Sequence, residues 1–180
     1  MGVFNVEKGK KMEIVAQIIG IIALANAVTS FQMKTHKGIL TFQLISTALF
    51  IVHYALLGAY TGAVLNAIAM LRSVVFINKG KAWARSVLWL VFFCAASIAT
   101  AFLTWDGSFV SILPVLGILF TTIAFWIKTP KYVRMVAFPS SPLWLIYNVS
   151  NCAWGGAVTE VINMASIIVA MIRLDFRKNS

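Results

Sequence analysis

The sequence predicts an all-α integral membrane protein with seven transmembrane helices. Three observations support this prediction. The 180 residues are 61% hydrophobic and 11% charged, with a mean hydropathy of +0.90, whereas a soluble domain carries about 25% charged residues. Long apolar stretches follow one another with only short connections between them. Lysine and arginine are concentrated in alternate connections.

The apolar stretches have the length that a membrane requires. A hydrocarbon core about 30 Å thick needs roughly 20 apolar residues per helix. Seven stretches approach or meet this length: Glu13–Phe31, Gly38–Gly58, Gly62–Asn78, Arg85–Trp105, Phe109–Lys128, Tyr132–Ala153 and Gly156–Leu174. Because little chain remains outside them, residues 1–180 are predicted to form a single membrane domain.

The net charge of +10 predicts a topology. Basic residues follow the first, third, fifth and seventh helices, and the intervening connections hold only Asp106 among charged residues. Since cytoplasmic loops are rich in Lys and Arg, we expect an external N-terminus and a cytoplasmic C-terminus in a bacterial inner membrane. Lys8, Lys10 and Lys11 do not fit this rule. The basic charge therefore indicates orientation and does not indicate nucleic-acid binding.

The basic turns contain an internal repeat. MKTHKGI at Met33–Ile39 recurs as IKTPKYV at Ile127–Val133, with Lys, Thr and Lys each shifted by 94 residues. Further matches at this offset, here called repeat-equivalent positions, are Phe31/Phe125, Ser46/Ser140, Leu49/Leu143, Met70/Met164, Gly62/Gly156 and Lys79/Arg173. The sequence predicts repeat one at 13–79, a linker helix at 85–105 and repeat two at 109–174. An offset of four membrane crossings makes the repeats parallel, as in transporters with an axis along the membrane normal.

Two resemblances follow from this organisation. The 3+1+3 plan resembles the SWEET and PQ-loop transporters, which join two three-helix bundles through a linker helix. LLGAYTGAVLNAI, ILPVLG and LWLIYNVSNCAWGGAVTEVINM are similar to the bacterial inner-membrane family called YgjV. That similarity extends from Gln17 to Arg173 and implies no particular substrate. SWEET proteins carry hinge prolines in both bundles, whereas all four prolines of this chain lie in the second.

Polar side chains inside the helices are candidates for a binding site, because ionisable groups in a membrane are costly. The candidate substrate-binding residues are His53, Asn66, Trp144, Tyr147, Asn148, Glu160 and Asn163. Glu160 and Asn66 are repeat-equivalent, and Asn163 shares a helix face with Glu160. Alternatively, Glu160 is stabilised by the helix dipole near the outer surface.

Other candidates also leave alternatives open. His53 either contributes to the site or packs through a hydrogen bond, and Trp144 either stacks on a ligand or packs. Arg72 is expected to extend to the cytoplasmic headgroups. The segment FPSSP at Phe138–Pro142 predicts a kink in the sixth helix, because proline removes helical hydrogen bonds.

The sequence favours a transporter for a small polar metabolite, facilitative or proton-coupled, working by alternating access between the two bundles. Phosphate-binding loops, CxxC pairs and paired carboxylates at enzymatic spacing are missing from the sequence. We therefore expect no enzyme activity, no cofactor and no metal. A non-transporting membrane receptor or scaffold on the same fold is the alternative. The expected partners are the metabolite and the lipid bilayer; homo-oligomerisation stays open.

Overall fold

The computed structural model describes residues 2–57, 60–103, 108–150 and 154–176, and these are helical apart from short connections. The α-helices are α1 (Gly2–Phe31), α2 (His36–Leu56), α3 (Tyr60–Ile77), α4 (Leu88–Leu103), α5 (Ile112–Trp126), α6 (Pro130–Ala137), α7 (Ser140–Ser150) and α8 (Trp154–Ala170). A 3₁₀ turn, Phe109–Ser111, leads into α5, and a π-helical turn, Met171–Phe176, follows α8.

Helices are present in all seven predicted stretches, with bounds that differ by a few residues and with two larger differences. α1 begins at Gly2 and not at Glu13, since Glu, Lys and Met are good helix formers and the stretch before Glu13 contains no proline. The sixth predicted helix is interrupted between Ala137 and Ser140, which confirms the predicted kink. Pro139 lies at this interruption.

Several helices have the length and composition of membrane spans. The longest candidates are Met12–Phe31, His36–Leu56, Phe109–Trp126 and Gly156–Phe176, and shorter apolar helices cover Asn66–Ile77 and Leu88–Ala99. The architecture is that of a helical integral membrane protein. Many large apolar side chains face outward, as expected for contact with lipid.

The helices pack in two groups with the same internal order. α1 contacts α2 and α2 contacts α3; likewise α5 contacts α6 and α7, and α7 contacts α8. We call α1–α3 the first half and α5–α8 with the π-helical turn the second half. Between the halves, α1 contacts α8, α3 contacts α5 and α2 contacts α6. α4 contacts α5, and Phe93 on α4 meets the ring of Phe76 on α3 at 5.7 Å.

Burial follows the same offset as the sequence motif. Repeat-equivalent positions buried in both halves are Ala23/Gly117, Ser30/Ala124, Phe31/Phe125, Ile39/Val133, Leu40/Arg134, Ser46/Ser140, Thr47/Ser141, Ser73/Ile167 and Phe76/Ala170. Phe31, Phe76, Phe125 and Ile167 belong to one apolar cluster that joins the halves. This cluster lies near the turns that carry Lys34 and Lys128, and we call that side of the molecule the basic end.

Candidate functional site

The two basic turns have equivalent roles at the starts of helices. Thr35 is the N-cap of α2, and Thr129 is the N-cap of α6. Both have extended backbone angles, as N-cap residues normally do. Thr35 Oγ1 accepts a hydrogen bond from the Gly38 amide at 3.0 Å. The Thr129 side chain makes no such cap bond.

Cations at the basic end reach across from each half to the other. Lys79 Nζ donates to the Trp126 carbonyl oxygen at 2.7 Å and lies 3.4 Å from the centroid of the Trp126 ring. Arg173 donates to Gln32 Oε1 at 3.0 Å. Lys79 and Arg173 are repeat-equivalent, and so are Gln32 and Trp126. The two halves thus exchange equivalent contacts. Partial burial lowers the pKa of the Lys79 ammonium, and nearby Lys128 lowers it further.

A second exchanged pair lies deeper in the molecule. Arg72 Nη1 donates to Thr122 Oγ1 at 2.6 Å, and Ser166 Oγ donates to the Val28 carbonyl oxygen at 2.8 Å. Arg72 is repeat-equivalent to Ser166, and Thr122 to Val28. Gln32 also donates to the Ser166 carbonyl oxygen at 2.6 Å.

The prediction that Arg72 extends to the headgroups is wrong. Its guanidinium carbon lies 5.3 Å from the centroid of the Phe125 ring, and its Nε is buried without a hydrogen-bond partner. A charged side chain in a membrane is stabilised by polar partners, and Thr122 on the other half supplies one. Arg72 therefore joins the two halves and does not contact the headgroups.

Arg134 forms a buried ion pair with Asp175. Their side chains are 2% and 5% exposed. Arg134 Nε donates to Asp175 Oδ2 at 2.8 Å, and its Nη2 donates to Oδ1. Arg134 Nη1 donates to the carbonyl oxygens of Phe31 at 3.3 Å and Met33 at 3.0 Å. This guanidinium therefore bonds the last carbonyl of α1, which has no partner within the helix, and a carbonyl of the turn that follows.

Glu160 lies in a polar group that we call the Glu160 cluster: Glu160, Ser141 and Asn163. Glu160 accepts hydrogen bonds from the Ser141 and Asn163 side chains. Ser141 is 5% exposed. Asn163 Oδ1 is buried without a hydrogen-bond partner. Along a helix with a rise of about 1.5 Å per residue, Glu160 lies roughly 20 Å from Arg173. The cluster thus lies near the N-terminal end of α8, away from the basic end.

The other predicted site residues divide between the halves. His53 Nδ1 lies 2.7 Å from the Ala16 carbonyl oxygen, so this histidine joins α2 to α1. Trp144 and Tyr147 form an edge-to-face pair, with ring centroids 5.9 Å apart. Asn66, on α3, also takes part in an interaction. The described contacts bring Glu160 and Asn163 together and pair Trp144 with Tyr147; none of them joins His53 to either group.

Two glycines let aromatic and amide side chains approach a neighbouring helix. A Cβ on Gly117 would lie 2.7 Å from the Trp144 indole, and one on Gly156 would lie 2.8 Å from the Asn148 amide. Gly156 thus allows α7 and α8 to approach each other closely. Its repeat-equivalent, Gly62, lies outside the described side chains. Trp144 therefore packs on α5, with part of its surface exposed.

Ser141 and the Arg134–Asp175 pair were not predicted as parts of a site. A usable signal existed for Ser141, because hydroxyl side chains occupy the repeat-equivalent positions 47 and 141 within apolar segments. Arg134 stands where the first half has Leu40. An arginine at a position that is buried in both halves requires an acid, and Asp175 is the acid at the same end of the predicted topology.

Comparison with known families supports the resemblance drawn from the sequence. The family model Imp-YgjV, described as a bacterial inner membrane protein, matches residues 14–178. The chain belongs to the YgjV family. It is therefore a multi-pass protein of a bacterial inner-membrane family. No curated protein and no solved structure matches the chain.

Proposed function

We propose that this YgjV-family protein is a carrier for a small polar metabolite, facilitative or proton-coupled. In this proposal, α1–α3 and α5–α8 form two parallel three-helix bundles joined by α4, as in the SWEET-like plan. The ligand binds between the bundles near the middle of the membrane. Relative rocking of the bundles exposes it to one side and then to the other.

The exchanged contacts between the halves carry this proposal. In one pair of contacts, Lys79 of the first half bonds Trp126 of the second, and the repeat-equivalent Arg173 of the second half bonds Gln32 of the first. The same exchange occurs deeper in the molecule, where Arg72 bonds Thr122 and Ser166 bonds Val28. When the two halves are exchanged, each of these contacts takes the place of its equivalent, so the interface has two-fold pseudo-symmetry. Such an interface supports symmetric rocking. Polar contacts also break at modest net cost, typically about 1 kcal/mol each.

The Glu160 cluster supplies the polar chemistry that a ligand would use. Asn163 Oδ1 is an acceptor that is buried without a partner, and unsatisfied buried polar atoms in native proteins call for a specific explanation. A hydroxyl or amino group of a metabolite would satisfy it. Glu160 could bind the same donor or carry a proton, since Ser141 and Asn163 already orient its carboxylate.

Uptake into proteoliposomes tests the proposal. The probes are radiolabelled neutral sugars, zwitterionic amino acids and small hydroxy acids, with and without a pH gradient. We expect one class to enter faster than into protein-free liposomes, and Glu160→Gln to reduce that uptake at least tenfold. Glu13→Gln, the same change on the exposed side of α1, should leave it unchanged. Equal uptake by wild type and Glu160→Gln would remove Glu160 from the site.

One feature favours the alternative of a receptor or scaffold. The break at Pro139 divides only the second half, whereas α2 is continuous over the equivalent stretch. Unequal halves suit a protein whose second half responds to a ligand while its first half stays fixed. That alternative predicts saturable binding of one probe class with no uptake above protein-free liposomes.

A further inference from the structure

A cavity of about 560 Å³ opens beside the buried ion pair at the basic end. Its lining residues are Lys34, Thr129, Pro130, Lys131, Arg134, Arg173, Leu174 and Asp175. The π-helical turn supplies one wall and the first turn of α6 supplies another. The cavity is far from the Glu160 cluster, which lies roughly 20 Å along α8 from Arg173. It is therefore a separate site.

The charges around the cavity favour an anion. Lys34, Lys131, Arg134 and Arg173 bring four positive groups to it, against the one carboxylate of Asp175. Asp175 is already engaged by Arg134 on both carboxylate oxygens. Arg134 thus neutralises the charge of Asp175, and the positive charges of Lys34, Lys131 and Arg173 face no further carboxylate among the lining residues.

The backbone at one wall of the cavity adds hydrogen-bond donors. α6 begins at Pro130, whose nitrogen carries no hydrogen, and Thr129 does not cap the amides that follow. The first amides of a helix have no partner within it, and its positive dipole end favours anions. In the first half, by contrast, Thr35 Oγ1 caps the Gly38 amide. The Tyr132 amide in the second half therefore has no cap bond, whereas its repeat-equivalent, the Gly38 amide, has one.

The equivalent place in the first half has different chemistry. Leu40 replaces Arg134, and Lys81 replaces Asp175. The buried ion pair is therefore specific to the second half. Lys37 and Lys128 carry the same charges as their repeat-equivalents Lys131 and Lys34, but they do not line the cavity. This difference supplies a matched control.

We propose that the cavity binds a phosphate group, either as inorganic phosphate or as the headgroup of an anionic phospholipid. Arg173 and the two lysines bind the phosphate oxygens, and the first amides of α6 add donors to them. Arginine and helix N-termini are both well suited to phosphate. Basic pockets of membrane proteins on the cytoplasmic side commonly take lipid headgroups. The bound phosphate would bridge the Lys34 turn and the second half.

The test compares two double variants of the full-length protein. Lys34→Gln/Lys131→Gln removes two lysines from the cavity. Lys37→Gln/Lys128→Gln removes the same charge from repeat-equivalent positions outside it. In one arm, inorganic phosphate is titrated into detergent-purified protein. In the other, retention of phosphatidylglycerol against phosphatidylethanolamine is measured by native mass spectrometry from mixed nanodiscs.

We expect the cavity variant to bind at least tenfold more weakly in one arm or both, and the control variant to bind within twofold of wild type. Loss in the titration alone identifies free phosphate as the ligand. Loss in the nanodisc arm alone identifies the lipid headgroup, and loss in both identifies a general phosphate site. Equal weakening of both variants would attribute binding to net surface charge and overturn the proposal. So would a wild-type protein that binds neither probe.

Discussion

The two halves of the molecule share their helix order and a set of buried positions but differ in what those positions hold. Where the first half has Leu40, the second has Arg134, paired with Asp175. Where the first has Ala23 beside α2, the second has Gly117 against Trp144. The two halves thus bury equivalent positions, and the second half also carries a buried ion pair and a close contact between an indole and a glycine.

This difference distinguishes features that the shared scaffold of both halves requires from features that only one half carries. N-cap threonines, buried phenylalanines and serine hydroxyls recur in both halves, so they belong to the scaffold. Ser46, for example, donates to the Ala23 carbonyl oxygen at 2.8 Å, and its repeat-equivalent, Ser140, lies beside Gly117. Features found in one half only are the better candidates for function. Substitutions that give the second half the residues of the first therefore test the comparison directly.

The largest effect is expected for Arg134→Leu, which installs the residue of the first half. Breaking a buried pair by removing one partner costs about 3–5 kcal/mol, because the remaining charge is left uncompensated. The variant should lose thermal stability in detergent, measured by the loss of monodisperse protein after heating. Arg134→Leu/Asp175→Asn should recover part of that stability. A single variant as stable as the double variant would show that the ion pair contributes little.

The second effect concerns the exchanged pair in the interior. Thr122→Val installs the residue found at position 28 and removes the acceptor for Arg72. Leaving a buried charged donor without this partner should cost about 1–3 kcal/mol in unfolding free energy. Adding Arg72→Ser recreates the arrangement of Ser166 with Val28, in which a serine donates to a backbone carbonyl. This double variant should be more stable than Thr122→Val.

Thr121→Val is the control for that experiment. The Thr121 hydroxyl bonds only to carbonyls of its own helix, those of Gly117 and Ile118. Its loss should therefore change stability less than the loss of the neighbouring Thr122 hydroxyl. If both threonine variants lost the same stability, the contact between Arg72 and Thr122 would not be the cause.

A third effect concerns the contact between α5 and α7. Gly117→Ala places a methyl group 2.7 Å from the Trp144 indole, and overpacking of this kind costs about 1–3 kcal/mol. The double variant Gly117→Ala/Trp144→Phe has the residues found at the repeat-equivalent positions, Ala23 and Phe50. The smaller phenylalanine should restore the stability that Gly117→Ala loses. Gly80→Ala, where a Cβ meets nothing within 4 Å, is the control and should be neutral. A neutral Gly117→Ala would contradict the close packing.

The smallest effect compares two repeat-equivalent cations. Lys79→Met removes a carbonyl hydrogen bond and a contact with the Trp126 ring, together worth about 1–2 kcal/mol. Arg173→Met removes a more exposed contact with Gln32 and should cost less than about 1 kcal/mol. The order of the two melting temperatures in detergent checks this prediction; the reverse order would contradict it.

The sequence predicted the helices, the repeated turn and the kink, because each depends on local chemistry. Apolar length determines a membrane span, and Pro139 breaks a helix. Orientation of the termini and the arrangement of the bundles stay predictions.

The sequence did not predict the polar partners. Arg72 was expected to extend to the headgroups because its distance from the cytoplasmic surface allows this. Its actual partner, Thr122, is 50 residues away and depends on how α3 meets α5. The pairing of Arg134 with Asp175 likewise depends on the π-helical turn, which no local pattern indicated. Contacts between helices distant in sequence require the packed structure.

Distance measurement between spin labels in liposomes tests most directly the proposal that the two halves rock relative to each other. Labels are attached to Lys37→Cys and Lys128→Cys, one in each half, after Cys94 and Cys152 are replaced by alanine. A reference pair, Lys37→Cys with Lys81→Cys, lies within the first half. We expect a single distance for the reference pair and two distances for the pair between the halves, one for each arrangement of the halves. Lys79→Gln/Arg173→Gln should increase the population of molecules with the longer distance, because both exchanged contacts are lost. A single distance between the halves, unchanged by that double substitution, would contradict the account.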